Sequence, residues 1–240
     1  MNKVSNIQVL ILCGGLGSRL RDVIKEIPKP LAPINNTPFL TLLLNFLKKR
    51  GFRNVKLLTG YLSEQFEELY KDGSELGLEI TYSVEKFPLG TGGAIKLAIE
   101  NSTETHFICL NGDTFFDFDY KLFESVYAGE TELNKMILRQ VDNATRYGSV
   151  DLNQNGFITT FMEKNQDCIP GLINSGVYFL HRSIIEHIGE GKVSLETEVF
   201  PKLVELQKLV GIEAAGTFID IGIPDDFNKS QILLKPYFGD

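Results

Sequence analysis

Residues 7–12 read Ile-Gln-Val-Leu-Ile-Leu and run straight into Cys13, Gly14 and Gly15, with Gly17 two positions further on. A short, nearly continuous apolar run fits a strand covered on both faces, as in a parallel sheet, better than a strand with one wet face. Glycines directly after such a strand let the backbone turn sharply and bring its N–H groups close to a ligand. In open α/β sheets ligands bind at the carboxyl ends of the strands, so the turn that follows Leu12 is the first place to look for chemistry.

The rest of the first half keeps the same rhythm. Thr37-Pro38 reads as a helix start, with Thr as cap and Pro at the first helical position. Phe39, Leu42, Leu43, Phe46 and Leu47 then recur at helical spacing until Gly51. Strands are expected at 55–59, 79–84 and 106–110, and helices at 63–70 and 92–100. Alternation of strand and helix is the signature of an α/β sheet. After a helix expected at 120–127 the pattern changes, with strand-like runs at 134–141, 147–152, 156–164 and 173–180 and almost no helix between them. Ser183 and Glu186 form a capping-box pattern for a short helix. A further helix is expected at about 196–207, and a last one from Pro224. The fold class expected is α/β, a Rossmann-like open mixed sheet flanked by helices, with an antiparallel β insertion in the second half.

Composition narrows the function classes. The chain has 240 residues, and at roughly 150 residues per domain one domain spanning 1–240 is expected, because no linker or repeat divides it. The formal charge of −7 argues against a nucleic-acid binder, whose electrostatic footprint is basic. No apolar run reaches the ~20 residues of a membrane helix. The N-terminal stretch lacks a small-residue cleavage site and reads as a first strand, not a signal peptide. Cys13, Cys109 and Cys168 have neither paired nor metal-type spacing and read as reduced thiols of a cytoplasmic protein. His106, His181 and His187 belong to no triad motif and are assigned no role; the acidic stretch 64–68 reads as a solvated helix face.

The segment LCGGLGSRLRDVIKEIPKPLAPI, residues 12–34, carries the strongest signal. Around Leu12, Gly14, Gly15 and Gly17, Ser18 adds a hydroxyl donor and Arg19 a guanidinium suited to phosphate oxygens. Lys29 lies between Pro28 and Pro30, which are expected to hold it extended and aim its ammonium at a second phosphate. Gly17-Ser18-Arg19 stands where the phosphate loop of NTPases needs Gly-Lys-Ser/Thr. Leu20 stands where the dinucleotide fingerprint needs a third small residue, and no placed acidic residue follows about 20 positions later. Neither familiar loop fits.

The pattern GGxGxRL followed by PKP resembles the sugar-1-phosphate nucleotidyltransferases, the sugar-nucleotide pyrophosphorylases. The resemblance continues in order through PLGTGGA at 88–94, LNGD at 110–113, RYGSV at 146–150, FMEK at 161–164, NSGVYF at 174–179 and FIDIGIP at 218–224. It implies a single nucleotidyltransferase domain binding a nucleoside triphosphate and a sugar 1-phosphate, with Mg²⁺ as cofactor. The wording of the motifs is most similar to the branch that activates manno-heptose 1-phosphate with GTP. Mannose or glucose 1-phosphate with UTP, TTP or CTP is the alternative within the class. A non-catalytic regulatory relative is the alternative outside it, disfavoured because Arg19, Lys29, Asp113 and Asp220 are all present. A homodimer would be unsurprising.

By the same resemblance, Arg19 and Lys29 are the catalytic cations. Leu12, Gly14, Gly15, Gly17, Ser18, Gly90, Thr91 and Gly92 belong to the nucleotide loops. Gly148, Glu163, Lys164 and Asn174 form the sugar-phosphate pocket. Asp113 follows an apolar strand, and Asp220 lies in an apolar stretch where an unpaired carboxylate is costly. Brought together, they would repel unless a cation lay between them, which suits Mg²⁺ completed by phosphate oxygens and water. Glu85 stands before the second glycine loop. One carboxylate there can accept both the ring N–H and the amino group of guanine, whereas uracil and thymine offer one donor on that edge. A surface ion pair with Lys86 is the other reading of Glu85.

Overall fold

The computed structural model describes residues 7–15, 27–119, 132–145, 147–162 and 170–238. Its frame is a nine-stranded sheet built around β1 (Gln8–Leu12), which pairs in parallel with β4 (Asn54–Thr59) on one side and β6 (His106–Asn111) on the other. β5 (Glu79–Val84) adds to β4 in parallel and forms one edge. The apolar runs are continuous because both faces of this sheet are covered. Along β1, Val9 and Ile11 belong to one hydrophobic cluster and Leu10 to the other. Along β6, Ile108 and Leu110 face the first cluster, Phe107 and Cys109 the second.

Helices close each face. α1 (Phe39–Lys49) and α2 (Ser63–Tyr70) place Leu40, Leu43, Leu47 and Phe66 in the first cluster. α3 (Gly90–Glu100) and α4 (Phe200–Glu205) place Ile95, Ile99, Phe200 and Leu203 in the second. α5 (Pro224–Leu233) contributes Phe227 to the first. Among the described residues no helix is long and apolar enough to cross a membrane.

The strands of the second half extend this same sheet. β8 (Asn134–Val141), β9 (Ser149–Leu152), β10 (Ile158–Met162) and β11 (Gly171–His181) are antiparallel to one another where they pair. β12 (Leu209–Ala214) lies parallel to β8. β11 joins the halves: Leu172 and Ile173 pair with β9, and after Asn174 the strand pairs with β6 from Val177 to His181. The fold class expected from the sequence is therefore met, with the antiparallel strands continuing the sheet beyond β6.

Several local expectations are corrected. Thr37 and Pro38 form β3, a two-residue strand against β2 (Pro33–Ile34), and α1 starts at Phe39 with no side-chain cap. Pairing with Pro33 and Ile34 outcompetes the cap. Ser183 makes no capping box. Residues Arg182–His187 form a 3₁₀ helix whose cap is His181, with the imidazole Nδ1 accepting from the Ser183 N–H at 3.1 Å. The helix expected at 196–207 begins as a π-turn, Leu195–Val199, and becomes α-helical only at Phe200. The helix expected at 120–127 lies outside the described residues.

Besides the β2–β3 pair, a further two-stranded sheet has no counterpart in the sequence pattern: β7 (Thr114–Asp117) pairs antiparallel with β13 (Thr217–Asp220). Its far end is held by the Asp117 carboxylate, which accepts from Arg50 Nη2 at 2.6 Å and from the Tyr237 hydroxyl at 2.8 Å. A β-carbon on Gly216, just before β13, would lie 1.6 Å from the Asp117 carbonyl oxygen. No side chain fits there without separating the strands. Gly216→Ala should therefore cost about 3 kcal/mol or more in urea unfolding. Gly189→Ala, whose β-carbon meets only Val193 Cγ2 at 3.7 Å, should be neutral or slightly stabilising.

Candidate active site

Because β1, β4, β5 and β6 run the same way, their carboxyl ends lie along one edge, and the site is assembled there. Glu85 leaves the end of β5 with its N–H bonded to the Thr59 carbonyl at 2.9 Å, continuing the β4–β5 ladder by one residue. Its Oε2 accepts from the Leu89 N–H at 2.9 Å. Its Oε1 turns toward β1 and β4: a β-carbon on Gly60 would lie 2.6 Å from it and one on Gly14 3.2 Å. The half-buried carboxyl is thus seated between two backbones, not paired with Lys86. Burial pushes its pKa above the ordinary glutamate value, and the Leu89 N–H opposes part of that rise. Beside it opens a cavity of about 270 Å³ lined by Gly15, Gly60, Tyr61, Lys86, Phe87 and Pro88 as well as Glu85.

Further along the edge, β6 ends at Asn111, and the Gly112 N–H donates to the Leu12 carbonyl at 2.9 Å, so the chain crosses beside β1. Asp113 follows, leading into β7. The β7–β13 ladder places Asp220 opposite Thr114, and the Ile221 N–H donates to the Asp113 carbonyl at 3.0 Å. The two aspartates, 107 positions apart in sequence, thereby become neighbours. Asp220 Oδ1 accepts from the Gly222 N–H at 2.6 Å. Lys29 Nζ donates to Asp113 Oδ2 at 2.6 Å, with the lysine side chain 14% and the aspartate 28% exposed. A β-carbon on Gly222 would lie 2.7 Å from Asp220 Oδ1 and 3.4 Å from Lys29 Nζ, which puts Asp220 beside the Lys29–Asp113 pair. Lys29 is delivered by a 3₁₀ turn, Lys29–Leu31, not by the extended segment expected from its prolines; Pro30 and Leu31 are buried and anchor it.

Among the described residues no group of three or more His, Cys, Asp or Glu side chains could hold a metal. Two carboxylates are what Asp113 and Asp220 supply. That fits Mg²⁺, which keeps waters and takes phosphate oxygens, and does not fit a cation needing an all-protein cage. Cys13 and Cys109 lie buried beneath the edge. Burial, followed by the Asp113 charge, pushes the Cys13 thiol well up, so it is no nucleophile.

On the other side of β6, the switch of partners along β11 places Asn174. Its backbone N–H donates to the Gly148 carbonyl at 2.8 Å, its Oδ1 accepts from the Gly176 N–H at 2.9 Å, and its Nδ2 donates to the buried Tyr178 hydroxyl at 2.9 Å. Gly148 and Asn174 are thus brought together by a backbone hydrogen bond. The second glycine loop packs closely against the segment 193–196. A β-carbon on Gly90 would lie 2.5 Å from the Val193 carbonyl oxygen, and the Gly92 N–H donates to that oxygen at 2.9 Å. The Thr91 hydroxyl donates to Glu196 at 2.8 Å and accepts from the Leu195 N–H at 2.8 Å. These residues bind the start of α3 to the segment 193–196.

Gly17, Ser18, Arg19, Glu163 and Lys164 lie outside the described residues, as do Arg146 and Cys168. Sequence reasoning missed Gly60, Tyr61 and Phe87 around the cavity, as well as Tyr178 and Glu196. Gly60 carried a usable signal, because it follows the apolar run Val55–Thr59 directly, as Gly14 follows β1 almost directly.

This geometry accompanies an unambiguous kinship: the chain belongs to the nucleotidyl transferase family, which it matches over residues 8–234. The D-glycero-alpha-D-manno-heptose 1-phosphate guanylyltransferase of Aneurinibacillus thermoaerophilus is 40% identical over 234 residues, 96% of this chain and 100% of that protein. The protein of the same name from Campylobacter jejuni is 41% identical over 225 residues, 92% of this chain and 97% of that one. The crystal structure of HddC from Yersinia pseudotuberculosis complexed with GMP-PN shares 34% identity, with a TM-score of 0.83 over 95% of this chain and 100% of that one.

The crowding at Gly60 gives a direct test of how Glu85 is seated. A methyl at Gly60 would lie 2.6 Å from both Cγ and Oε1 of Glu85, so Gly60→Ala must push that side chain away, at a stability cost of about 1–3 kcal/mol. Glu85 should be displaced, and KM for the nucleotide should rise about 10- to 100-fold. Thermal unfolding and steady-state kinetics on the same preparation check both halves.

Proposed function

We propose that this chain transfers GMP from GTP to D-glycero-α-D-manno-heptose 1-phosphate, giving the GDP-sugar and pyrophosphate. The observation that carries the reading is the arrangement along one sheet edge: the Glu85 carboxylate beside a base-sized cavity, with the Lys29–Asp113–Asp220 cluster on the same edge. The 40% identity of whole-length relatives bearing that name supports the choice of sugar and base. Glu85 accepts from the two adjacent donors of guanine. Gly14, Gly15 and, by their place in the motif, Gly17, Ser18 and Arg19 receive the triphosphate. Gly148, Glu163, Lys164 and Asn174 receive the sugar phosphate.

In the reaction an oxygen of the sugar 1-phosphate attacks the α-phosphorus of GTP. A new phosphorus–oxygen bond forms there, the bond to the β-phosphate breaks, and pyrophosphate leaves with its electron pair. The nucleophile is already an anion, so no general base is needed. What the protein supplies is in-line positioning and positive charge against the repulsion of two polyanions. Lys29, held by Asp113 and by its proline-anchored turn, bridges phosphates near the reacting centre. Asp113 and Asp220 would hold a Mg²⁺ ion, which would supply Lewis-acid neutralisation of the phosphate oxygens. One phosphoanhydride replaces another, so the equilibrium lies near balance.

A panel of nucleoside triphosphates crossed with sugar 1-phosphates, followed by pyrophosphate release, tests the reading. GTP with the manno-heptose should lead, and equal use of hexose 1-phosphates or a preference for UTP would overturn it. Glu85→Gln turns one acceptor toward a donor, a mismatch of about 1–3 kcal/mol. The ratio of kcat/KM for GTP over UTP should therefore fall roughly 5- to 150-fold. Because burial raises the Glu85 pKa, its acceptor form is lost at a higher pH than for a solvated glutamate. KM for GTP in the wild type should climb as pH falls toward that value, and Glu85→Gln should lack this limb.

The cation cluster has its own test. Lys29→Ala should lower kcat by orders of magnitude, with only partial rescue by Lys29→Arg, since a planar fork is not a point charge. Asp113→Asn and Asp220→Asn should each weaken Mg²⁺ affinity measured by titration calorimetry, and a chelator should abolish wild-type turnover. Normal turnover under chelation would remove the two-carboxylate site.

A further inference from the structure

Two aromatic side chains stand at the cavity beside Glu85 in a way that packing does not explain. Phe87 is 78% exposed, the most exposed of the large apolar side chains among the described residues, and Tyr61 is 53% exposed. Both line the same cavity of about 270 Å³. Neither belongs to the two hydrophobic clusters, and among the described residues neither stacks on another ring.

Their backbones are nonetheless fixed. Phe87 lies in a loop of three residues pinned at both ends through Glu85: its N–H is on the Thr59 carbonyl, and its Oε2 holds the Leu89 N–H at 2.9 Å. Pro88 stiffens the loop further. Tyr61 follows Gly60, whose carbonyl accepts from the Ser63 N–H at 3.1 Å in the turn that opens α2. The register Thr59 to Val84 brings the two loops out side by side. An exposed ring on an anchored loop forgoes burial until something covers it.

We propose that Phe87 and Tyr61 are the stacking surface for the purine ring, and that they select purine over pyrimidine nucleotides while Glu85 selects guanine among purines. The proposal rests on the GTP reading of the same site. A carboxylate can read only the edge of a base, in the plane of the ring. The faces of the base stay wet unless apolar rings meet them, and aromatic rings gain most because every base presents a π-face. A fused purine offers more face than a single pyrimidine ring, so stacking and edge reading divide the selection between them.

The experiment compares GTP, ITP and UTP in the wild type, Phe87→Ala, Phe87→Leu, Tyr61→Ala and Phe87→Trp. ITP lacks the amino group that Glu85 would read, but keeps the fused ring. Both substitutions to alanine should raise KM for GTP and for ITP by the same factor, about 5- to 150-fold, with kcat unchanged and UTP less affected. Phe87→Leu should restore only part of the loss. Phe87→Trp should retain GTP affinity, and its indole, alone in a chain without tryptophan, should be quenched when GTP binds. Both substituted positions are exposed, so the melting temperatures of all four variants should stay at the wild-type value. If the wild type turns over GTP while Phe87→Ala and Tyr61→Ala keep its KM within twofold, the stacking surface is overturned and the GTP reading stands. Full rescue by Phe87→Leu, or an unquenched indole at saturating GTP, overturns it equally. If the wild type does not use GTP, the reading and the proposal built on it both fall.

Discussion

Strand β1 has parallel neighbours on both sides, and parallel pairing obliges the chain to return over one face or the other before each new strand begins. The consequence is geometric. β1, β4, β5 and β6 all end on the same edge, so the segments after them, around Gly14, Gly60, Glu85 and Asp113, face one strip of solvent. Covering both faces also requires two hydrophobic clusters, and the alternation of Val9, Leu10 and Ile11 between them fixes the orientation of the strand. A slip of one residue would exchange the clusters' contents.

Elements governed by local periodicity were legible in the sequence. The helix Ser63–Tyr70 and the strands Glu79–Val84 and Asn134–Val141 lie where apolar spacing places them, because each is set by its own burial pattern. Elements governed by a distant partner were not. β7 is a short run, Thr-Phe-Phe-Asp, that becomes a strand only because Thr217–Asp220 pairs with it from 100 residues away. β12 needs β8 in the same way. The caps failed for a related reason: Thr37 and Ser183 offer suitable hydroxyls, but β2 and the His181 imidazole compete for the same groups. In the site, residue types betrayed the charged members Lys29, Asp113 and Asp220. Gly60, Tyr61 and Phe87 were silent because their meaning comes from facing Glu85.

Glycines in this protein divide between two tasks that look alike in sequence. Gly14 and Gly60 leave room for the Glu85 carboxylate, so their missing side chains bear on a ligand pocket. Gly90 and Gly92 leave room for the Val193 backbone, so theirs bear on how α3 meets the segment before α4. Thr91 belongs with the second group, since both its hydroxyl contacts run to Leu195 and Glu196. A glycine-rich motif can therefore also fix how two pieces of scaffold meet.

Asn174 sits on β11, a strand of 11 residues that hydrogen-bonds to β9 at one end and, at the other, to β6, whose end leads to Asp113. A clamshell opening between the two halves would have to tear backbone hydrogen bonds in the middle of a sheet and leave them without partners. The halves are consequently welded. Any closing of this enzyme around its substrates falls to the loops along the edge, while the distance between its two halves is a fixed dimension, like the gap of a rigid jig.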